Sequence, residues 1–202
     1  MVKLKANSRI GFIAKSGYGK TYFADYITQQ YLNAGIDCHV YNTNFETLRC
    51  KSSKGKLYSD MPPQAVKNSS VYSLNRWLVQ KRANFTNCML RIEDMDVFFN
   101  GQGVSGSTAG VVRDLFSNGR HQGIGVIYTA KNLKYIPLSI FTNTDMFYLG
   151  QFTEQDDVER AHRIGIPDNA IRNITDYVFV QFDRDTNVPT DRLKYVKAPS
   201  SI

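Results

Sequence analysis

One segment near the amino terminus limits what this chain can fold into more than any other feature. From Ala14 to Thr21 the sequence reads AKSGYGKT. This matches the phosphate-binding pattern GxxxxGK[ST] at every fixed position except the first, where alanine replaces glycine. An apolar run, Arg9–Ala14, comes before the segment, and a helix-like stretch, Lys20–Asn33, follows it. A strand, a tight loop and a helix in this order predict a site for the phosphate groups of a nucleotide.

Each part of this segment has a chemical reason. Gly17 and Gly19 can adopt backbone angles that turn successive N–H groups inward around phosphates. The start of the helix adds unpaired N–H groups and a partial positive charge. We expect the Lys20 ammonium to reach the β and γ phosphates of ATP and the Thr21 hydroxyl to bind Mg²⁺. The predicted nucleotide-binding residues are Ala14, Lys15, Ser16, Gly17, Tyr18, Gly19, Lys20, Thr21 and Tyr22.

The rest of the chain alternates between short apolar runs and helix-like stretches. Predicted strands are Arg9–Ala14, Ile36–Tyr41, Cys88–Ile92, Ile124–Thr129, Asp145–Leu149 and Tyr177–Phe182. Predicted helices are Lys20–Asn33, Val71–Gln80, Val111–Asn118 and Glu154–Arg163. This alternation favours an α/β fold with three layers, in which a mainly parallel central sheet is flanked by helices. With the phosphate loop, it predicts a P-loop NTPase of the RecA/ASCE-like type.

We expect residues 1–202 to form a single P-loop ATPase domain, because this length suits one domain with small additions. Residues 51–70 are rich in Lys and Ser and carry Pro62 and Pro63, which predicts a loop or a small insertion. Residues 184–202 form a predicted C-terminal extension. Its alternating part, Arg192–Lys197, could add an edge strand.

A second strand should carry the carboxylates that a P-loop ATPase needs to hold Mg²⁺ and to activate the attacking water. The run Cys88–Ile92, interrupted by Arg91, leads directly into Glu93 and Asp94. We assign Glu93 to the Mg²⁺ shell and Asp94 to the general base, although position alone allows the two roles to be exchanged. Asp96 is a weaker candidate two residues further on.

Charge and cysteine content indicate the partners and the compartment. The chain has 25 Lys and Arg against 18 Asp and Glu, giving a formal net charge of +7, which favours a polyanionic partner such as nucleic acid. Its three cysteines fit no disulfide framework, so we expect a reducing setting. We predict neither a secretory signal nor a membrane span, because no apolar run approaches the ~20 residues that cross a bilayer.

Three motifs together resemble the FtsK/HerA superfamily of P-loop ATPases. They are the phosphate loop, the acidic pair Glu93-Asp94, and the segment Asn118–Asn132, in which Gly119-Arg120-His121 precedes a strand. A later Asn143-Thr144-Asp145 stretch leads into the next strand, as in that group. The resemblance spans roughly residues 8–183 and is nearest to the genome-packaging ATPases of membrane-containing icosahedral and poxvirus-like viruses.

The resemblance implies a motor that hydrolyses ATP with Mg²⁺ to package double-stranded DNA into a preformed capsid. It also implies a homo-oligomeric ring, hexameric or pentameric, in the host cytoplasm or at a virion vertex, with capsid or membrane vertex proteins as possible partners. An arginine would meet the ATP of a neighbouring subunit or of its own. Arg120 is the first candidate and Arg113 the second. Lys131 occupies the sensor position, where the family usually has glutamine, and Asn132 could orient water in its place.

A packaging motor grips the DNA backbone without reading bases, so lysines on loops suffice. The candidates are Lys51, Lys54, Lys56 and Lys67, together with a flexible loop, Asn100–Gly110. Three rival functions remain open at this stage. They are a small P-loop kinase, a filamentous-phage-type assembly or secretion ATPase, and a nucleotide-binding scaffold without hydrolysis.

Overall fold

A computed structural model describes residues 5–42, 47–59, 85–99, 106–152, 154–172, 174–184 and 193–200 of the chain. Within these ranges eight strands form one sheet. The strands are β1 (Arg9–Ile13), β2 (Cys38–Tyr41), β3 (Leu57–Ser59), β4 (Met89–Ile92), β5 (Gly125–Ala130), β6 (Met146–Leu149), β7 (Val178–Asp183) and β8 (Leu193–Lys197).

Five α-helices lie between these strands in the described ranges. They are α1 (Lys20–Asn33), α2 (Gly106–Asn118), α3 (Leu138–Phe141), α4 (Gln155–Arg163) and α5 (Asp168–Arg172). Short 3₁₀ turns occur at Met95–Phe98, Gly119–Gln122 and Leu133–Tyr135. The acidic residues in the first turn of α4 and the basic residues in its last turn complement the helix dipole.

The strands lie in the order β3-β2-β4-β5-β1-β6-β7-β8. Neighbours from β3 to β6 pair in parallel, whereas β7 and β8 are antiparallel to the strands before them. Every residue of β1, β4, β5 and β6 is buried, as expected for parallel strands covered on both faces. The predicted fold class, a mainly parallel α/β P-loop fold, is confirmed.

Helices cover both faces of the sheet. Phe12 of β1 packs against Phe23 of α1, with their ring centroids 5.2 Å apart. Tyr128 of β5 lies edge-on to Phe116 of α2, at 5.6 Å. Because successive strand side chains point to opposite faces, this aromatic packing fixes α1 on one side of the sheet and α2 on the other. The end of α1 that bears the phosphate loop is therefore held against the carboxyl ends of the central strands.

The sequence predictions differ from the structure in several places. The predicted loop Asn100–Gly110 is wrong in its second half, because α2 begins at Gly106. The predicted insertion contains β3, which pairs with β2. By contrast, the edge strand predicted at Arg192–Lys197 is present as β8, which pairs with β7. The predicted helix Val71–Gln80 lies outside the described residues.

Two further properties concern the described helices and the cysteines. None of the described helices has the length and apolarity needed to cross a bilayer. The three cysteines are unpaired and buried. Burial raises the pKa of Cys38 and Cys50 to about 12, so both thiols are inert packing groups at neutral pH.

Candidate functional site

A cleft of about 780 Å³ opens at the carboxyl edge of the sheet, where β1, β4 and β5 end side by side. Its lining combines the phosphate loop, the start of α1 and the segments that follow β2, β4 and β5. The lining residues are Ser16, Gly17, Gly19, Lys20, Thr21, Tyr22, Asp25, Thr47, Arg49, Asp94 and Lys131. The parallel topology thus brings together the two motifs that the sequence analysis paired.

The loop has the backbone conformation that its glycines predict. Gly17 and Gly19 have φ angles of +76° and +87°, in the left-handed region that side-chain-bearing residues rarely adopt. The Gly19 carbonyl accepts the first helical bond, from the Phe23 N–H at 2.9 Å. The helix therefore begins inside the cleft, with its unpaired N–H groups at the lining.

Lys20 is buried at the start of α1 and donates to the Lys15 carbonyl oxygen at 2.9 Å. Burial lowers the pKa of its ammonium group, and Asp94 nearby partly offsets this. A bound anion would favour the charged form of Lys20, because opposite charges stabilise each other at this range. Lys15 itself donates to Gln151 at 2.6 Å and does not line the cleft.

Tyr18 is a structural member of the loop. Its hydroxyl oxygen lies 2.6 Å and 2.8 Å from the carbonyl oxygens of Thr175 and Val178. Its ring packs edge-on against Phe179 of β7, with centroids 5.2 Å apart. Tyr18 thereby ties the phosphate loop to the antiparallel part of the sheet. Ala14, the position that departs from the motif, is fully buried beneath the loop.

The two acidic residues of the predicted pair differ in what they contact. Asp94 lines the cleft, and its carboxylate lies 2.9 Å from the Lys131 ammonium. Glu93 is turned into the protein, where its Oε1 accepts from Arg91 at 2.5 Å and its Oε2 accepts from the Thr129 hydroxyl at 2.7 Å. Thr129 also accepts from the Asp94 N–H, at 2.9 Å, so one hydroxyl aligns both acids. Asp94 is thus the carboxylate with direct access to a ligand.

Arg91 has a role that the sequence did not indicate. It is fully buried in β4, and its guanidinium lies 2.5 Å from Asp25 of α1 and 2.5 Å from Glu93. Burial by itself would lower the pKa of Arg91, but these two carboxylates raise it above its usual value. Arg91 Nη2 also donates to the Thr21 carbonyl at 3.3 Å. The interruption of the apolar run is therefore an ionic bridge between the phosphate-loop helix and the acidic strand.

Asp96 supports the segment after β5, which contains Lys131, the residue at the predicted sensor position. Its Oδ2 accepts the backbone N–H groups of Lys131 and Asn132, each at 3.2 Å, and its side chain is buried outside the cleft lining. Burial and the nearby Asp94 raise the pKa of this carboxyl group. These contacts position Lys131, whose side chain is 45% exposed where it reaches Asp94.

The two candidate arginines do not line this cleft. Arg120 precedes β5 and forms an ion pair with Asp145, which precedes β6, so both lie at the amino edge of the sheet. With ~3.3 Å per residue along β5, that edge is roughly 15–20 Å from the phosphate loop. Arg113 is exposed in the middle of α2. Within one subunit Arg120 is too far from the cleft to contact its ligand, which leaves action on a neighbouring subunit as the prediction for this residue.

The lysines predicted to contact DNA lie on a segment that runs along α1. Lys51, Lys54 and Lys56 are exposed, whereas Lys67 lies outside the described residues. The Lys51 N–H donates to Gln29 at 2.8 Å, and the Gly55 N–H donates to the Leu32 carbonyl at 2.8 Å. The backbone that carries these three exposed lysines is therefore fixed against the C-terminal part of α1.

Comparison with known proteins gives matches in structure alone. No family model matches the sequence, and no curated relative matches it either. The fold is similar to that of the genome packaging NTPase B204 from Sulfolobus turreted icosahedral virus 2, with a TM-score of 0.71, 12% identity, and coverage of 98% of this chain and 100% of that one. That protein has also been solved with AMP, ATPγS and AMPPCP.

Two other solved structures share the fold. The pCW3 conjugation coupling protein TcpA, solved as a monomer with ATPγS, matches with a TM-score of 0.66 and 14% identity over 96% of this chain and 60% of that one. The N-terminal domain of zonular occludens toxin from Neisseria meningitidis matches with a TM-score of 0.53 and 10% identity over 96% of this chain and 94% of that one. The resemblance predicted from the motifs is confirmed as a likeness of fold: the chain has the fold of a genome packaging NTPase and of a conjugation coupling protein.

Proposed function

We propose that this protein is an ATPase that binds ATP with Mg²⁺ in the cleft at the end of β1. One observation carries the proposal: Lys20, Thr21 and Asp94 line the same cleft, at the start of a helix whose first N–H groups have no partner within the helix. An ammonium, a hydroxyl and a carboxylate around an anion-binding helix start are the groups that phosphoryl transfer requires. The complexes of the similar proteins B204 and TcpA with ATPγS support this assignment.

The donors in the cleft fit Mg²⁺. This ion prefers hard oxygen ligands and is usually held by one or two carboxylates together with substrate phosphates. Thr21 supplies a hydroxyl at the cleft lining, and Glu93, which lies behind it, is the carboxylate expected in the Mg²⁺ shell, so that Asp94 stays available to the attacking water. Bound Mg²⁺ would neutralise charge on the β and γ phosphates as it develops.

The other side chains of the cleft have separate roles in hydrolysis. Lys20 stabilises negative charge on the transferring phosphoryl group, and the loop N–H groups hold the phosphates in place. Asp94 orients the attacking water and accepts its proton, because it is the carboxylate with access to the cleft. Lys131 is paired with Asp94, so the approach of the γ phosphate would draw this ammonium away and release the carboxylate.

Neutralising Asp94 should therefore affect mainly the rate of hydrolysis, whereas neutralising Glu93 should also affect the stability of the fold. Asp94→Asn is expected to lower kcat by roughly 10²-fold or more, the usual contribution of a general base, with little loss of stability. Glu93→Gln is expected also to destabilise the fold by about 3 kcal/mol, because it leaves buried Arg91 with one carboxylate fewer. Steady-state kinetics and urea unfolding of both variants test this. An Asp94→Asn variant that hydrolyses ATP at the wild-type rate would refute the assignment of the base.

We further propose that ATP hydrolysis drives translocation of double-stranded DNA by a homo-oligomeric ring, most consistent with genome packaging. The first support is charge: the net charge is +7, and Lys51, Lys54 and Lys56 form an exposed lysine row beside α1. The second is a fold similar to a genome packaging NTPase and a conjugation coupling protein. In such a ring Arg120 would contact the ATP of the neighbouring subunit. Stimulation of ATP hydrolysis by double-stranded DNA separates a DNA motor from a kinase, a protein-secreting ATPase or a scaffold.

The lysine row should determine how tightly DNA is bound. Replacing Lys51, Lys54 and Lys56 together by glutamine is expected to weaken DNA binding and to reduce the slope of log K against log salt by about 0.9 for each phosphate that these lysines neutralise. The matched control removes three positive charges elsewhere, with Arg163, Lys194 and Lys197 changed to glutamine. Filter binding across a salt series measures both sets. Equal slopes for the two triple variants would show that the row does not bind DNA.

A further inference from the structure

The cleft contains an arginine to which the sequence motifs give no role. Arg49 lies in the segment after β2 and lines the same cavity as Lys20 and Thr21. Its guanidinium carbon is 4.8 Å from the ring centroid of Tyr22, the residue that follows Thr21 on α1. Arg49 is therefore a cation held beside the first turn of the phosphate-loop helix.

The position of Arg49 is fixed by the buried network described above. Its backbone N–H donates to Asp25 Oδ2 at 3.2 Å. Asp25 is 1% exposed, and its Oδ1 is paired with Arg91. The next residue, Cys50, is buried, with its thiol 3.6 Å from the same carboxylate. Because the backbone on both sides is anchored to α1, the Arg49 side chain begins at a defined place on the cleft wall.

The guanidinium lacks a counter-charge from the described part of the protein. Among those residues no carboxylate lies within ion-pair distance of the Arg49 guanidinium. Asp25 accepts a hydrogen bond from the Arg49 backbone N–H, but it forms its ion pair with Arg91. The Arg49 guanidinium lies over the Tyr22 ring, and this contact with the ring uses none of the N–H donors that lie in the guanidinium plane. A planar fork of donors beside a phosphate loop is suited to phosphate oxygens.

We propose that Arg49 donates hydrogen bonds to the β and γ phosphates of the nucleotide bound by its own subunit. The proposal rests on the proposed ATP site and adds a second cation to it, besides Lys20. It also gives the site an arginine in cis, since Tyr22 and Asp25 belong to the same chain as Arg49. Arg120, at the opposite edge of the sheet, can act only on a neighbour.

The test compares nucleotides that differ in phosphate number. Dissociation constants of Mg²⁺-ATPγS, Mg²⁺-ADP and AMP are measured by calorimetry for the wild type, Arg49→Ala, Arg49→Lys and the control Arg163→Ala. Arg49→Ala is expected to bind ATPγS about tenfold or more weakly, as for loss of a charged hydrogen bond, and AMP with a smaller loss. Arg49→Lys should recover part of the affinity, and Arg163→Ala should match the wild type. Thermal unfolding shows that each variant is folded.

The outcomes separate the two proposals. If the wild type does not bind ATPγS, the ATP site itself is wrong. If it binds but Arg49→Ala binds equally well, Arg49 is only a solvated surface arginine. An equal loss for AMP and ATPγS would place Arg49 on the base, ribose or α phosphate that the two share, and would overturn a contact with the β and γ phosphates. The cis assignment is tested by repeating the measurement at a protein concentration where sedimentation shows monomers. If Arg49→Ala lost affinity for ATPγS only in oligomers, the cis assignment would be overturned.

Discussion

Replacing Lys20 by alanine is expected to lower kcat/KM for ATP by about 10²- to 10³-fold, the cost of removing one preorganised group that stabilises transition-state charge. Lys20 is the buried ammonium at the helix start, and it lies within electrostatic range of Asp94. No other lysine lines the loop side of the cleft in the described residues, since Lys15 is turned toward Gln151. The measurement is release of inorganic phosphate at several ATP concentrations.

Lys194→Ala is the matched control for this experiment, because Lys194 is an exposed lysine on the edge strand β8. It should hydrolyse ATP at the wild-type rate. Circular dichroism and thermal unfolding must show that the Lys20→Ala variant is folded. A folded Lys20→Ala variant with full activity would show that Lys20 of the phosphate loop does not take part in catalysis.

Replacing Arg91 by alanine is expected to reduce the free energy of unfolding by about 3–5 kcal/mol, the usual cost of removing one partner from a buried ion pair. The substitution leaves Asp25 and Glu93 buried without the guanidinium that lies 2.5 Å from each. At roughly 2–4 °C per kcal/mol for a chain of this size, the midpoint of thermal unfolding should fall by about 6–20 °C. Urea and thermal unfolding measure the two quantities.

Two further variants show whether the charges are the cause. Arg163→Ala, an exposed arginine on α4, should change stability by no more than about 0.5 kcal/mol. The triple change of Arg91→Met, Asp25→Asn and Glu93→Gln removes all three charges together, so it should be more stable than Arg91→Ala. A decrease of less than about 1 kcal/mol for Arg91→Ala would mean that the bridge does not stabilise the fold.

The sequence was sufficient for those parts of the site that depend on neighbouring residues. The phosphate loop is predictable because strand, glycines and helix follow each other within Arg9–Asn33. The parallel fold is predictable because apolar runs alternate with helices, and parallel topology then brings the end of β4 beside the end of β1. These features are local in sequence or follow from general rules of topology.

Contacts between distant residues were not predictable in this way. Arg91 and Asp25 are 66 positions apart, and no motif joins them. The division of labour between Glu93 and Asp94 depends on Thr129, which belongs to another strand. Arg49 lies within residues 47–52, which are described and have no helix or strand, so neither periodicity nor a motif marks it. Only the folded chain brings these side chains to one place.

A crystal structure of the protein with ATPγS and Mg²⁺ would show directly where a nucleotide binds. We expect the triphosphate to lie across the loop from Gly17 to Thr21, with a γ-phosphate oxygen about 2.7–3.2 Å from Lys20 Nζ. The metal should lie between the Thr21 hydroxyl and the acidic pair. If the nucleotide were bound elsewhere, or if the cleft stayed empty at saturating ATPγS, the proposed ATP site would be contradicted.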